Sequence, residues 1–475
     1  MTPYLLIVHT FSFFRFRFLA SEKQAAVMVF VLCIALRTIP EIAAYPHPIG
    51  YDVVNYYIPN VVNFEEHWST ISKQFPLYVT FLYSLSSASG IPPPSVVVVV
   101  AVAMAGIFGV SIFYIGRKML SFRIIQSVFL ATFTVFQMAV LRTFWDLHRD
   151  VLALATALFV FSLLSRKEAG WKALSITLAL TAITVAADRM IGVLLCVSLV
   201  IYTIITRRKE VALSAILAIG LFSALMVASH QHSNPNPLGV GTPGISAPKF
   251  YNQENLFIFF LVVNGLVVGP ATIGFLRMQK SLLKIPLLVS LAGSFSWLVF
   301  PENNLLVADR WIVLTGIFLS IFAGYGILHL VNKLKSKVSA IVACSILAAF
   351  AAVGVSYALL PYDSPFILYS IARNDIRYFA PPTMQFNSLD IEDNDNLLSA
   401  IAYINKNTEH NSIIVGEPHW RGFMELYLKD ERTYHFSNDP LALATTLAEQ
   451  GQPAYLIKVE GNVHTSFRIV DIHKR

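Results

Sequence analysis

The sequence predicts a mainly α-helical, polytopic membrane protein that ends in a small α/β domain. Hydrophobic residues make up 56% of its 475 residues, charged residues make up only 13%, and the mean hydropathy is +0.62. Apolar runs long enough to cross ~30 Å of hydrocarbon recur from about residue 24 to residue 360. We therefore predict a transmembrane helical bundle of about eleven spans, followed by a domain on the extracytoplasmic side.

The distribution of basic residues predicts the side of the membrane on which each loop lies. Lys and Arg cluster in short loops between the apolar runs, and such clusters mark the cytoplasmic side. The net charge of +7 therefore reflects membrane topology and does not indicate a nucleic-acid partner. We predict a multi-pass protein of the cell membrane whose N-terminus is cytoplasmic. The predicted cytoplasmic clusters are Arg15, Arg17 and Lys23; Arg117, Lys118 and Arg123; Arg166, Lys167 and Lys172; Arg207, Arg208 and Lys209; Arg277, Lys280 and Lys284; and Lys333, Lys335 and Lys337.

Apolar runs alternate with these loops along the chain. They define a membrane domain over residues 24–360, after a cytoplasmic lead-in of residues 1–23, with large external loops at 41–93 and 230–253. The first span is expected to stop at Pro40. The predicted spans are residues 24–39, 95–116, 124–142, 151–165, 173–187, 190–206, 211–229, 254–276, 285–300, 311–331 and 338–360.

Two external segments have a distinct character. The segment Pro76–Ile91 is apolar but short, and Gly90 and three consecutive prolines end it. If this segment crossed the membrane, every later basic loop would fall outside, so we predict a re-entrant or interfacial helix on the outer face. The loop 230–253 is rich in proline and glycine and has no periodicity, which is typical of a lid or a binding loop.

From Leu360 onward charged residues return, and helical and strand patterns alternate. Residues 361–396 are interpreted as a membrane-skimming linker. The alternation predicts a small extracytoplasmic α/β domain within residues 361–475, which has no glycine-rich phosphate loop. The predicted helices are 396–407, 420–428 and 440–449, and the predicted strands are 412–415, 433–436, 454–459 and 467–472.

The first external loop carries a candidate catalytic carboxylate, Asp52. It lies within Tyr45–Pro59, among aromatic residues, Gly50 and three prolines. A carboxylate just outside a membrane helix is costly unless it binds or reacts with something, so we interpret Asp52 as an acidic residue that takes part in catalysis. The alternative is a turn residue beside Gly50. Tyr51 and Tyr56 fit sugar stacking or an aromatic belt at the membrane surface equally well.

The segment Trp145–Val151 carries two further acids. If it begins the next helix, Asp146 and Asp150 share one face and repel each other, unless a cation, a metal or Arg149 lies between them. A ligand-facing pair is one interpretation. The other is that Asp146 caps the helix and Asp150 pairs with Arg149. We expect His148 to form hydrogen bonds rather than to bind a metal.

Cationic residues also lie on the predicted outer face. Arg189 follows Asp188 at the tip of a hairpin, and Asp309 and Arg310 precede the tenth span. These arginines are either anchors at the membrane surface or ligands of a phosphate ester, for which the planar guanidinium is well suited.

The order of these features resembles the GT-C membrane glycosyltransferases, the architecture of protein O-mannosyltransferases, aminoarabinose transferases and oligosaccharyltransferases. The resemblance covers most of residues 24–360, has the outer domain in the expected place, and is nearest to prokaryotic relatives. It rests on Pro48-Ile-Gly-Tyr-Asp-Val-Val-Asn-Tyr-Tyr57 in the first external loop, Phe144-Trp-Asp-Leu-His-Arg-Asp150, and Ala308-Asp-Arg-Trp311 before the penultimate span.

The resemblance implies an inverting glycosyltransferase that works on the extracytoplasmic side. A polyprenyl-phosphate sugar would be the donor, and a glycan, a lipid or a protein would be the acceptor. Asp52 matches the first-loop acid, the presumed catalytic base, and either Asp146 or Asp150 matches the second-loop acid. Arg310 matches a basic residue near the lipid phosphate. The further predicted substrate-binding residues are His148, Arg149, Arg189, Asp309, Tyr51 and Tyr56.

The sequence also departs from these families. It lacks the tandem Asp-Glu of the mannosyltransferase first loop and the Trp-Trp-Asp of the oligosaccharyltransferases. Those two activities and the metal requirement stay open: no metal site or cofactor is predicted, and Mg²⁺ or Mn²⁺ is the alternative. The competing class is a multi-pass transporter or a lipid-linked sugar flippase. Transporters commonly show internal repeats and midplane sites, and neither is evident in this sequence.

Overall fold

The computed structural model describes residues 21–72, 75–166, 170–230, 253–279, 282–299, 308–360, 381, 383–437, 439–460 and 466–471. Most of the predicted loop 230–253 and of the predicted linker 361–396 lies outside these residues. Residue contacts divide the chain into two compact units. The helical unit comprises Met1–Ile39, Ser72–Tyr78 and Val100–Met384, and the mixed unit comprises Pro40–Ile71, Val79–Val99 and Gln385–Arg475.

Helices dominate the described chain. Two stretches are π-helical, one at Val53–Tyr57 and one at Ile115–Met119. The α-helices are α1 (Glu22–Ala44), α2 (Ile58–Val62), α3 (Phe64–Ile71), α4 (Leu77–Ser89), α5 (Pro93–Tyr114), α6 (Ile124–Val135), α7 (Met138–Asp146), α8 (His148–Leu164), α9 (Trp171–Ala187), α10 (Arg189–Thr206), α11 (Lys209–His230), α12 (Gln253–Arg277), α13 (Lys284–Ser294), α14 (Ala308–Val331), α15 (Ser336–Leu359), α16 (Ile391–Asn407), α17 (Arg421–Tyr427) and α18 (Pro440–Glu449).

The apolar helices confirm a polytopic membrane protein. Every predicted span overlaps a helix, although the predicted span 124–142 is divided between α6 and α7, and α13 covers only residues 285–294 of the predicted span 285–300. The predicted outer helix Pro76–Ile91 forms α4. Among the described residues seven helices are long and apolar enough to cross a membrane, namely α1, α5, α10, α11, α12, α14 and α15. The pair α6 and α7, bent by 64°, makes an eighth if it is one span, whereas α9 and α13 are shorter apolar helices.

One prediction about this part of the chain is wrong. Helix α1 does not stop at Pro40 but continues to Ala44, because a proline removes one helical hydrogen bond without ending a membrane helix. The predicted external loop is largely helical after Gly50. Its apolar residues recur at helical spacing and are buried along one face: Val53, Val54, Tyr57, Ile58 and Val61.

Helices α12 and α14 pack with their backbones in contact. A Cβ added at Gly274 would overlap the carbonyl oxygen of Phe322, and a Cβ added at Gly326 would overlap that of Pro270. Small residues allow membrane helices to approach this closely and gain dispersion energy. The contact fixes α14, the helix whose first turn carries Arg310.

The end of the chain forms the small α/β fold that the sequence predicts. Its strands are β1 (Ile413–Gly416), β2 (Thr433–Phe436), β3 (Ala454–Glu460) and β4 (Ser466–Asp471). The sheet has the order β2-β1-β3-β4, in which β1 is parallel to β2 and β3, and β4 is antiparallel to β3. Its core includes Leu397, Ile401, Ile414 and Trp420, together with Val54 from the first external region.

The glycine contact between α12 and α14 gives a first testable prediction. We expect Gly274→Ala to lower the stability of the protein by about 1–3 kcal/mol, because the added methyl group has no space and the backbones must separate. Gly269→Ala, on the same helix, is the matched control, since its Cβ would meet nothing within 4 Å. Chemical unfolding in detergent micelles measures both, and equal stability would contradict the packing described here.

A second prediction concerns Asp390, which precedes α16. Burial, with smaller contributions from Glu392 and Asp393, raises the pKa of Asp390 from 3.8 to about 6. Because this folded-state pKa lies above the unfolded one, its contribution to stability is complete below pH 3.8 and is lost as the pH rises to about 6. Asp390→Asn should remove that decline and make the protein more stable above pH 6. Identical pH dependence of urea unfolding in both proteins would refute this.

Candidate active site

The two acids of the segment Trp145–Val151 lie on different helices. Helix α7 ends at Asp146 and α8 begins at His148, because Leu147 between them has φ −88° and ψ 55°, outside the helical region. The prediction that 145–151 begins a single helix is therefore wrong, and Asp146 and Asp150 do not repeat along one helical face.

Asp146 is buried and forms an ion pair with Arg142, one turn earlier on α7. The Arg142 guanidinium also lies 4.7 Å from the ring of Trp145, and Asp309, in the first turn of α14, acts on it electrostatically. The interpretation of Asp146 as the helix cap is wrong, since the N-cap position of α8 is Leu147. Asp146 balances the charge of a buried arginine within the helical unit.

Asp150 belongs to a second, separate polar cluster. It is buried in the first turn of α8 and interacts electrostatically with Asp188, Arg310 and Arg149. Asp188 caps α10, since its Oδ1 accepts hydrogen bonds from the backbone N–H groups of Met190 (2.8 Å) and Ile191 (3.0 Å). Acidic and basic groups from α8, α10 and α14 thus converge.

A cavity of about 10 Å³, enough for about one water molecule, lies against this cluster. Asp150 and Arg310 line it, together with Thr143, Met190 and apolar side chains of α8, α10 and α14. The cavity marks where a cation and a carboxyl group face each other, but it is too small for a substrate.

The remaining predicted residues of the helical unit have identifiable contacts. The Nδ1 atom of buried His148 lies 3.4 Å from the hydroxyl of Tyr78, so His148 forms a hydrogen bond as expected. Arg189 lies with its guanidinium carbon 5.1 Å from the ring centre of Phe75, a cation–π contact. Arg149 interacts electrostatically with Asp150 and Tyr78.

Asp52 belongs to the mixed unit. It is half-buried, has helical backbone angles (φ −65°, ψ −24°), and directly precedes the π-helix Val53–Tyr57. The turn comes earlier, at Gly50, whose φ is +101°. Tyr51 is 38% exposed, whereas the ring of Tyr56 packs edge-on against Tyr57.

One important residue of this site was not among the predicted site residues. The sequence places Asp188 at the tip of a hairpin, and in the structure it acts electrostatically on Asp150. Its capping role was readable, because an aspartate between two apolar runs is a typical helix start. Its contact with Asp150 has no signal in a single sequence.

The described acidic residues do not form a cluster that could bind a metal ion. Within the described ranges, no three or more His, Cys, Asp or Glu side chains are arranged to hold a metal ion. The sequence predicts no metal site, with Mg²⁺ or Mn²⁺ as the alternative, and both stay predictions.

The Arg142–Asp146 pair gives a testable prediction. Arg142→Met should destabilise the protein by about 3–5 kcal/mol, because it removes the cation that compensates a buried carboxylate. The double variant Arg142→Met with Asp146→Leu should recover most of that loss. Arg421→Met, which breaks an exposed pair with Glu425 at the same spacing, is the matched control and should cost about 1 kcal/mol or less. A double variant as unstable as Arg142→Met would show that charge compensation is not the role.

Comparison with known proteins shows the fold. No protein-family model and no curated protein matches this sequence. The solved structures that match over 92% of this chain include the arabinofuranosyltransferase AftD from Mycobacteria (13% identity, TM-score 0.55) and ArnT from Cupriavidus metallidurans in the apo state (14% identity, TM-score 0.52). The chain spans 35% of the length of AftD and 93% of that of ArnT. Both are GT-C glycosyltransferases, and this chain has a GT-C-like fold.

Proposed function

We propose that this chain is a membrane glycosyltransferase that moves a sugar from a polyprenyl-phosphate donor to an acceptor on the extracytoplasmic side. The observation that carries the proposal is the placement of Asp150 and Arg310 near each other, at the starts of α8 and α14, within a GT-C-like fold. A guanidinium at this place can hold a phosphate ester, because its planar fork pairs with two phosphate oxygens. The cavity beside it must widen to admit the donor.

Two arginines lie close to Asp150. Arg149 and Arg310 both act on it electrostatically. A guanidinium placed there would attract the donor phosphate and stabilise the phosphate that leaves.

We assign the second acid of the site to Asp150 rather than Asp146. The carboxylate of Asp146 already compensates Arg142 in the interior of the helical unit. Asp150 lines the cavity and acts on Arg310, so it can orient the guanidinium that binds the phosphate. In this role Asp150 does not react but holds the cation in place.

Asp52 is proposed as the general base. As the acceptor oxygen attacks the anomeric carbon, its proton passes to the Asp52 carboxylate and a new carbon–oxygen bond forms. The bond between the anomeric carbon and the phosphate oxygen breaks, and the phosphate leaves with the electron pair. A single displacement of this kind inverts the anomeric centre. The half-exposed position of Asp52 suits a group that must meet a substrate hydroxyl.

The test is the transfer of labelled sugar from a panel of polyprenyl-phosphate sugars to endogenous membrane acceptors. Asp52→Asn should lower turnover about 10²–10⁴-fold, because it removes the base. Asp150→Asn should raise the KM for the donor and lower turnover, because Arg310 loses the charge that orients it. Glu449→Gln, an exposed carboxylate in α18, is the control and should behave as wild type.

Each outcome of this assay has a clear meaning. Wild-type turnover in a correctly inserted Asp52→Asn variant would rule out Asp52 as the base. A wild-type donor KM in Asp150→Asn would show that Asp150 does not contribute to donor binding. If no donor supports transfer and labelled solute instead crosses sealed vesicles, the protein is a transporter or a flippase.

A further inference from the structure

The helical segment that follows Asp52 is held by the α/β fold at the other end of the chain. Asn55, in the π-helix Val53–Tyr57, makes the central contact. Its Oδ1 accepts a hydrogen bond from the backbone N–H of Gly422 in α17 (3.0 Å). Its Nδ2 donates to the carbonyl oxygen of Tyr51 (3.2 Å) and to the hydroxyl of Ser388. One amide side chain therefore links the Asp52 segment to two separate parts of the α/β fold.

Gly422 allows the two backbones to approach this closely. A Cβ added there would overlap the carbonyl oxygen of Val54 and would lie 2.8 Å from the Cα of Asn55. Its N–H can reach Asn55 only because α17 lies directly against the π-helix. Any larger residue would push these two elements apart.

The backbone is also fixed on the other side of Asp52. The N–H of Gly50 donates to the carbonyl oxygen of Phe386 (2.9 Å), and the Nδ2 of Asn387 donates to the carbonyl oxygen of Pro48 (3.1 Å). The chain is thus held by residues 386–388 before Asp52, and by Ser388 and Gly422 after it.

Hydrophobic burial strengthens the same attachment. Val54 is 1% exposed and belongs to one core cluster with Trp420, Phe423 and Met424 of the α/β fold. Removing an aliphatic side chain from water favours the folded state. The segment that follows Asp52 therefore shares a core with the α/β fold through Val54.

We propose that Asn55 and Gly422 are positioning residues that set the place of the Asp52 carboxylate. This inference rests on the proposed function, in which Asp52 is the base. A base must lie within hydrogen-bond reach of the proton that it takes, and a displacement of about 1 Å can cost on the order of 100-fold in rate. The α/β fold thus acts on the reaction by fixing the backbone on both sides of Asp52.

The experiment compares kcat and the donor KM of purified Asn55→Ala, Gly422→Ala and Ser388→Ala in the labelled-sugar assay. We expect kcat to fall about 10–100-fold in the first two and less in Ser388→Ala, which loses a single hydrogen bond, with the donor KM unchanged. Glu425→Gln, which breaks an exposed ion pair on the same helix as Gly422, is the matched control and should keep wild-type kcat. Thermal unfolding shows which variants are folded.

A double-variant test separates positioning from general destabilisation. The Asp52→Glu substitution moves the carboxylate by one methylene group, so in this variant the carboxylate should already be misplaced. Adding Gly422→Ala or Asn55→Ala to Asp52→Glu should then lower kcat by much less than it does in the wild-type protein. If the defect were purely structural, the loss of kcat in the double variant would equal the product of the losses in the two single variants.

The outcomes distinguish this inference from the proposed function. Loss of activity in Asp52→Asn, together with wild-type kcat in folded Asn55→Ala or Gly422→Ala, would overturn the positioning role alone. Losses that multiply in the Asp52→Glu background would do the same. Full activity in Asp52→Asn would overturn both. If Gly422→Ala does not fold, Asn55→Ala and Ser388→Ala decide the question.

Discussion

The organisation of the helical unit depends on the cost of burying carboxylates. A buried charge is tolerated only when a proton, a cation or several hydrogen bonds compensate it. Asp146 is compensated by Arg142 on its own helix. Asp150 is compensated by Arg149 and by Arg310 of α14, and it lies near Asp188 of α10. Compensation of Asp150 therefore joins the starts of α8 and α14, which meet that of α10 at the cavity.

The same cluster depends on helix packing in the unit that carries it. Arg310 can face Asp150 only if α14 is held in register, and the backbone contact between α14 and α12 at Gly274 provides a fixed reference. Membrane helices gain little from the hydrophobic effect when they associate, so close packing of small residues must supply the energy. The polar site and the glycine contact are therefore two parts of one arrangement around α14.

Much of the fold could be predicted from the sequence, because hydropathy and periodicity are local. The spans and the strands of the α/β fold follow from such patterns, and the strand Thr433–Phe436 matches to the residue. The break at Leu147 could not be predicted, since no Gly or Pro marks it, and it alone separates Asp146 from Asp150. Contacts between distant residues, such as that of Asp150 with Asp188, leave no trace in a single sequence.

The contact between Asn55 and Gly422 joins residues 367 positions apart, and it explains why the Asp52 segment needs the end of the chain. Isolated helices this short are marginal in water, so the helical stretch after Asp52 could not hold its shape by its own hydrogen bonds. Its stability comes from the core that Val54 shares with the α/β fold. Local unfolding of that fold would release the carboxylate proposed as the base. The position of the Asp52 carboxylate therefore depends on the stability of the α/β fold within the same unit.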